Sequence, residues 1–197
     1  MQPEQMLAAL AENAVIAAVR NERDLAEALA APVRIIFILA SSIFSLPATV
    51  ETVHRAGKLV LAHVDMVQGI SRDGYGVQLV AQNAHPDGVI STKVGLVAEA
   101  RNRGLLAVQR SFLLDSQSLT TGIELIRDAR PDIIEVLPGI IPSEIQEFVR
   151  KIRVPLIAGG LIRTKAQCHA ALRAGAAGVS TSQRELWATP ISPKSQG

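Results

Sequence analysis

An eightfold alternation of short apolar runs with amphipathic segments most constrains the fold of this 197-residue chain. The runs are rich in β-branched residues, and each is followed by a segment with the periodicity of a helix. Because a helix separates successive strands, the strands are expected to pair in parallel. The predicted strands are Val15–Val19, Ile35–Leu39, Leu59–Val64, Asp87–Ser91, Leu105–Gln109, Asp132–Leu137, Pro155–Ala158 and Gly178–Thr181.

Eight βα units allow the parallel sheet to close and so lose its exposed edges, whereas six or fewer would leave it open. The sequence therefore predicts the α/β class, with a single (β/α)8 TIM-type barrel over residues 1–188. Residues 189–197 contain two prolines and two serines without periodicity, and they predict a disordered C-terminal tail. The predicted helices span residues 22–31, 46–56, 73–84, 93–103, 116–129, 142–151, 164–174 and 182–187.

Composition agrees with a barrel buried on both faces of its sheet, since 48% of the residues are hydrophobic and 19% are charged. The longest early apolar stretch, Met6–Val19, is interrupted by Glu12 and Asn13, which is typical of neither a signal peptide nor a membrane span. We expect a cytoplasmic protein with no membrane partner. The single cysteine, Cys168, cannot form an intrachain disulfide and is predicted to pack on a helix.

Small residues follow the last two predicted strands, where barrels of this type usually bind phosphate. Glycines let the backbone approach an anion, and hydroxyl groups at a helix N-terminus donate to its oxygens. The alternative is a tight turn at the glycines, with Ser180 or Ser182 capping the last helix. The predicted phosphate-binding residues are Gly159, Gly160, Ser180, Thr181 and Ser182.

Charged residues stand at other strand ends and are candidates for the remainder of a ligand. Glu135 lies within an apolar run, where a carboxylate is costly unless it faces the barrel mouth or a partner. Arg20, Lys93 and Arg110 follow the first, fourth and fifth predicted strands. Each is placed to neutralise Asp65, Glu135 or a phosphate, the alternative being a surface or helix-entry charge.

Two catalytic or metal-dependent alternatives arise from the same residues. His63 and Asp65 can begin a metal site, but the other histidines, His54, His85 and His169, fall on helices or before strands. Otherwise Asp65 hydrogen-bonds a ligand hydroxyl while His63 fills the barrel as a neutral imidazole. A desolvated Lys93 can act as a Schiff-base nucleophile, although it stands just past a strand end. The sequence favours no metal, no cofactor and no catalytic residue.

Basic residues also gather near predicted helix C-termini, on the far face of the barrel. They could contact nucleic-acid phosphates, but the helix macrodipole alone favours cations there. Net charge is only +2, and with 3% aromatic residues we predict no stacking platform for single-stranded bases. These basic groups are Arg101 and Arg103, Arg127 and Arg130, and the run 150–153.

Six segments occur in an order that resembles the glycerol-3-phosphate-responsive antiterminator family of bacteria. The resemblance extends from about Asn13 to Trp187. Two positions depart from the family pattern: Ala40–Ser41–Ser42 lacks an acidic residue after the second strand, and Gln68 replaces a carboxylate after the third. The six segments are Ala62–Asp65, Asp87–Lys93, Gln109–Ser116, Pro131–Gly139, Ile157–Ile162 and Ser180–Trp187.

The resemblance implies a non-catalytic, RNA-binding regulator of transcription. In this family, glycerol 3-phosphate promotes binding of the protein to the mRNA leader of glycerol-utilisation operons. The bound protein prevents premature termination of transcription, which is called antitermination. It implies that the five residues predicted to bind phosphate do so, while Asp65, Lys93 and Glu135 surround the glycerol end. It leaves the RNA-contacting residues unknown, and a homo-oligomer is compatible with it.

The alternative function is that of a small phosphosugar isomerase, epimerase or lyase on the same barrel. Lys93, Glu135 or Asp65 would then serve as base or nucleophile.

Overall fold

A closed barrel of eight parallel strands forms the centre of the computed structural model, which describes residues 1–113, 121, 123–124, 126 and 129–192. Each strand pairs with the next strand of the barrel along the chain, and the last pairs back with the first, which confirms the predicted (β/α)8 TIM-type barrel. The strands are β1 (Val15–Val19), β2 (Ile35–Ile38), β3 (Leu59–His63), β4 (Gly88–Ser91), β5 (Leu106–Phe112), β6 (Ile133–Leu137), β7 (Leu156–Gly159) and β8 (Gly178–Thr181).

Helices surround the barrel and follow the predicted order. Much of the helix predicted over 116–129 lies outside the described residues. Among the residues that the structure describes, no helix combines the length and apolar character needed to span a bilayer. The described helices are α1 (Pro3–Glu12), α2 (Glu22–Ala30), α3 (Leu46–Arg55), α4 (Gly74–Asn83), α5 (Val94–Asn102), α6 (Pro142–Lys151) and α7 (Lys165–Arg173).

The last predicted helix, 182–187, is shorter than expected and consists of a 3-10 turn over Arg184–Leu186. The indole N–H of Trp187 donates to the carbonyl of Thr181 at 2.9 Å, which folds the segment back over the end of β8. Trp187 itself is fully buried, so the turn is fixed by packing as well as by this hydrogen bond.

Alternating side chains divide the core into two layers. Ile16, Phe37, Leu61 and Ile90 point into the barrel, and their neighbours along the strands pack against the helices. This alternation fixes which face each mouth residue takes: Glu135 continues the inward row that includes Ile133, and Ser180 continues the row of Gly178.

Helix α1, which the sequence interpretation missed, packs against the residues inside the barrel. Its Met6 and Leu10 are buried in the same cluster as Ile16 and Ile35. A Cβ on Gly178 would lie 2.6 Å from Leu10 Cδ2, so β8 begins with a residue that leaves room for the helix. Met6–Val19 is therefore not one apolar stretch, because it contains both α1 and β1, separated at Asn13.

The first part of the predicted disordered tail is docked on the barrel. Ile191 is buried, its N–H donates to Asn13 Oδ1 at 3.2 Å, and its carbonyl accepts from the N–H of Ala14 at 2.8 Å. The remainder of that predicted tail, residues 193–197, lies outside the described residues.

A two-stranded parallel sheet joins the loops after β2 and β3. Ser41 pairs with Val67 and Ser42 with Gln68. Ser41, Ser42 and Gln68 are among the positions noted above as departures from the expected pattern, and their backbones hold the two mouth loops together.

Candidate ligand-binding site

A cavity of about 300 Å³ opens at the carboxyl end of the barrel, between the ends of β1 and β5–β8. Its size suits a small ligand. Seven of the ten predicted site residues line it: Arg20, Arg110, Glu135, Gly160, Ser180, Thr181 and Ser182. Gly159, Asp65 and Lys93 are not among the lining residues.

Glu135 forms the polar floor of this cavity and is only 1% exposed. Its Oε1 accepts a hydrogen bond from Ser180 Oγ at 2.5 Å, and its Oε2 accepts one from Arg110 Nε at 2.7 Å. A buried carboxylate needs such partners, since desolvation of an unpaired charge is expensive. Each carboxylate oxygen retains a further lone pair, so Glu135 can still accept a ligand hydroxyl.

Arg110 lies inside β5 and not after it, as the sequence had indicated. The strand continues to Phe112, and Arg110 pairs in register with Glu135 on β6. Two charged side chains on adjacent strands therefore meet on the inner face of the barrel, and each offsets the burial of the other.

The two predicted phosphate glycines have different surroundings. A Cβ on Gly159 would lie 2.6 Å from both Glu135 Oε1 and Ser180 Oγ, so Gly159 makes room for the protein's own polar floor. Gly160 lines the cavity with φ of +76°, a left-handed conformation that glycine adopts without strain. The backbone of Gly160 can therefore come close to a ligand in the cavity.

The two hydroxyl residues after Ser180 also differ. Thr181 Oγ1 donates to the carbonyl of Ile162 at 2.8 Å and accepts from the N–H of Gln183 at 3.0 Å. Its side chain therefore ties the loop after β7 to the loop after β8. Ser182 is exposed on the cavity wall, where its hydroxyl can reach a ligand.

Two arginines give the cavity a cationic wall. Arg20 and Arg163 are exposed residues that line it, and within the described part of the chain neither guanidinium forms an ion pair. Arg163 was missed by sequence reasoning. The available signal was its place in the loop after the Gly159–Gly160 pair, immediately before Thr164, which caps α7.

Asp65 is occupied in holding the loop after β4. It stands in a 3-10 turn after β3 and accepts hydrogen bonds from Ser91 Oγ, Thr92 N and Thr92 Oγ1 at 2.7–2.9 Å. Burial alone would raise the pKa of Asp65, but the hydrogen bonds from Thr92 and Ser91 lower it below its usual value. Lys93 is exposed at the start of α5.

His63 is buried beside these groups, with its Nδ1 3.8 Å from Asp65 Oδ2. Within the described residues this nitrogen has no hydrogen-bond partner. Burial, together with the positive charge of Arg110, lowers the pKa of His63 to about 4. The imidazole is therefore neutral at physiological pH. No group of three His, Cys, Asp or Glu side chains able to hold a metal occurs among the described residues.

Comparison with known proteins yields one family. Residues 15–187 match the model of the family described as glycerol-3-phosphate responsive antiterminator. The chain is 34% identical to the uncharacterized protein YgcP of Escherichia coli K12 over 182 residues, which cover 92% of this chain and 95% of that protein.

Two solved structures are similar along most of their length. One is the glycerol uptake operon antiterminator regulatory protein of Listeria monocytogenes, 37% identical with a TM-score of 0.85, covering 88% of this chain and 94% of that one. The other is a glycerol uptake operon antiterminator-related protein of Thermotoga maritima, 30% identical with a TM-score of 0.80, covering 90% and 99%. The resemblance drawn from the six ordered segments is thereby confirmed.

Proposed function

Because this chain belongs to the glycerol-3-phosphate responsive antiterminator family, we propose that it senses glycerol 3-phosphate and, once loaded, binds the mRNA leader of glycerol-utilisation operons to prevent premature termination. The observation that carries the proposal is a small cavity at the barrel mouth with a buried Glu135–Arg110 pair at its floor and two arginines on its wall, neither of which forms an ion pair with a described residue. Such a cavity offers cations to a phosphate at its wall and hydrogen-bonding groups to polyol hydroxyls at its floor.

The phosphate is assigned to the wall formed by Arg20, Gly160, Arg163 and Ser182. Guanidinium groups bind phosphate oxygens through charge-assisted hydrogen bonds, and glycine allows backbone contact. Thr181 and Gly159 support this wall indirectly, by fastening the loops and by making room for the floor.

The glycerol hydroxyls are assigned to the floor formed by Glu135, Ser180 and Arg110. Glu135 keeps lone pairs available for a donor, and Ser180 Oγ can accept as well as donate. Asp65 and Lys93 are not among the residues that line the cavity, so in this proposal neither contacts the ligand, and Asp65 holds the loop after β4.

The proposed role is binding without catalysis. A general base or Schiff-base nucleophile has to reach the substrate. Lys93 is exposed outside the cavity and therefore does not reach a ligand bound there, and Glu135, paired with Arg110 and Ser180, is assigned to accept hydrogen bonds from the ligand hydroxyls. We expect no turnover on a panel of phosphosugars. Binding to nascent leader RNA would place the protein in the cytoplasm.

Calorimetric titration with glycerol 3-phosphate tests the sensor, with glycerol and inorganic phosphate as controls. Saturable binding of the intact phosphoester, much tighter than either control, is expected. Absence of heat, together with absence of a thermal shift, would contradict the proposal.

The phosphate wall is tested by Gly160→Asp, with Gly160→Asn as the matched control. Both residues tolerate the left-handed backbone better than other side chains do. The variants differ in charge alone, so Asp is expected to abolish binding while Asn retains a measurable part of it, because only Asp repels the phosphate. Equal affinities of the two variants would refute this placement.

A further inference from the structure

Exposed hydrophobic side chains gather on one face of the molecule. Among the described residues, the exposed large hydrophobic side chains lie at the end of a barrel strand, in the segment that follows a strand, or, for Tyr75, in the first turn of the next helix. These segments all meet at the barrel mouth. The side chains are Phe44, Met66, Tyr75, Phe112, Ile140, Ile141 and Leu161.

Aromatic residues are few, yet half of them are exposed here. The chain contains one Trp, one Tyr and four Phe. Phe44 is 91% and Tyr75 79% exposed, and Phe112 is 49% exposed. An apolar surface of this kind, bordered by polar residues, is typical of an interaction site. The low aromatic content predicted no stacking platform, a prediction that did not consider where the few aromatic rings lie.

Phe44 is presented by a braced loop. Next to it, the N–H of Ile43 donates to the carbonyl of Gln68 at 2.8 Å, which extends the two-stranded sheet. A Cβ on Gly69 would lie 2.9 Å from Ile43 Cγ2, so the loops after β2 and β3 are in close contact. The ring of Phe44 projects from this contact into solvent.

Tyr75 is fixed in a similar way. Asp73 Oδ1 accepts hydrogen bonds from Ser71 Oγ, Tyr75 N and Gly76 N at 2.7–3.1 Å and so caps α4. A Cβ on Gly76 would lie 1.9 Å from the carbonyl oxygen of Ser71, so the turn requires glycine at this point. The turn therefore sets Tyr75 in the first turn of α4 with its ring exposed.

Two cations belong to the segments after β3 and β4, Arg72 three residues before Tyr75 and Lys93 at the start of α5. Arg72 and Lys93 are exposed, and in the part of the chain that the structure describes neither forms an ion pair. The nearby carboxylates are all engaged: Asp65 accepts three hydrogen bonds from Ser91 and Thr92, Asp73 accepts three from its own loop and helix, and Glu99, beside Gly74, pairs with Arg103. We call Phe44, Arg72, Tyr75 and Lys93 the aromatic ledge.

We infer that the aromatic ledge is the surface that binds single-stranded RNA, with bases stacked on Phe44 and Tyr75 and phosphates held by Arg72 and Lys93. Stacking on aromatic rings combined with unpaired cations is the usual chemistry of such binding. A partner protein would cover the rings equally well, but unpaired cations beside them fit a polyanion better. The inference rests on the proposed function, which supplies RNA as the partner.

The aromatic ledge and the ligand cavity occupy neighbouring parts of the same face. The ledge belongs to the loops after β2, β3 and β4, and the cavity opens between β1 and β5–β8. Arg110 bonds Glu135 on the cavity side. His63, on β3, lies 3.8 Å from Asp65, which in turn holds Thr92 beside Lys93. The buried Arg110–Glu135 pair therefore lies on the cavity side of the boundary between the two sites, and the buried His63 lies on the ledge side.

The test is fluorescence anisotropy with the leader transcript of the glycerol-utilisation operon from the source genome, at saturating glycerol 3-phosphate. Phe44→Ala and Tyr75→Ala are each expected to weaken binding about tenfold. Arg72→Gln is expected to reduce the slope of log affinity against log salt by about one. Arg150→Gln and Arg153→Gln, in the basic run on the far face, are matched controls and are expected to leave affinity unchanged.

Calorimetry on the same ledge variants shows that they fold, because their affinity for glycerol 3-phosphate should equal that of the wild type. If the wild type binds glycerol 3-phosphate but no leader RNA, the proposed function itself fails. If the wild type binds RNA and all three ledge variants bind it equally well, only the ledge fails. Loss of binding in the far-face variants, or a dimer that Phe44→Ala dissociates in light scattering, would also overturn the ledge.

Discussion

At the scale of single residues, the site depends on a buried charge pair at the floor of the cavity. Glu135 and Arg110 are 1% and 11% exposed in their side chains and 2.7 Å apart. Removing one member of a buried pair leaves the other uncompensated, which typically destabilises a protein by about 3–5 kcal/mol. Replacing both members with apolar residues of similar size is often close to neutral.

The pair therefore predicts a non-additive result. Arg110→Met should lower the free energy of unfolding by about 3 kcal/mol, because it leaves the Glu135 carboxylate buried without its ion-pair partner. Arg110→Met combined with Glu135→Met should recover most of that loss, although neither variant should bind the ligand. Urea denaturation of the two variants measures this, and additive losses would show that the pair is not a stabilising unit.

His63 predicts a pH dependence of stability. Its pKa in the folded protein is about 4, compared with an ordinary value of 6.5. Between these pH values the unfolded chain binds a proton that the folded chain does not. The contribution of His63 to the free energy of unfolding is therefore complete above pH 6.5 and is lost as the pH falls towards 4. His63→Gln should remove that part of the pH dependence. An NMR titration of the imidazole with a midpoint near 6.5 would contradict the assignment.

At the scale of elements, the 3-10 turn after β8 is attached to α2 through Arg184. Its guanidinium contacts Asp24 at 2.6 Å and Glu27 at 2.7 Å. Asp24 also accepts from the backbone N–H of Arg20 at 3.1 Å. One side chain thus connects two of the segments that form the phosphate wall.

Arg184→Gln should accordingly weaken glycerol 3-phosphate binding several-fold while leaving the barrel folded, since it releases the loops and not the core. Arg23→Gln is the matched control, because Arg23 pairs with the same Glu27 but is 79% exposed and does not line the cavity. Calorimetry and thermal unfolding of both variants separate positioning from stability. Equal affinity in Arg184→Gln and wild type would remove Arg184 from the site.

The sequence predicted the barrel elements well because each strand is a compact apolar run. Val15–Val19 and Gly178–Thr181 have the predicted bounds. It missed α1, because Met6–Val19 has the appearance of one interrupted apolar stretch in the sequence, and the βα pattern begins only with β1. It also ended β5 at Gln109, too early, since the charged Arg110 interrupts the run while the hydrogen-bonded ladder continues to Phe112.

The site was predictable where chemistry follows strand ends and obscure where it depends on contacts between loops. Glu135 and Gly160 line the cavity as their positions in the sequence indicated. The hydroxyl of Thr181 is bonded to the loop after β7, and Asp65 is bonded to the loop after β4. In both cases the hydrogen-bond partner is distant in sequence, so no local sequence pattern predicts the contact. Phe44 and Tyr75 were overlooked because composition counts aromatics without locating them.

At the scale of the whole molecule, the proposed ligand site and the proposed RNA-binding surface lie on one face of the barrel. If glycerol 3-phosphate favours RNA binding, then RNA must increase the affinity for glycerol 3-phosphate by the same factor. An effector that binds the free and RNA-bound states equally well could not act as a switch. The two sites are therefore expected to form a closed thermodynamic cycle.

The most direct test of the central claim is the affinity of the wild-type protein for the leader RNA with and without saturating glycerol 3-phosphate, at one fixed salt concentration. Glycerol 3-phosphate is expected to increase the affinity for the leader RNA at least about fivefold, within the usual range of coupling between two sites. No such increase is expected with a leader of scrambled sequence. Equal affinity in the presence and absence of glycerol 3-phosphate would contradict the claim that this barrel is a glycerol 3-phosphate switch.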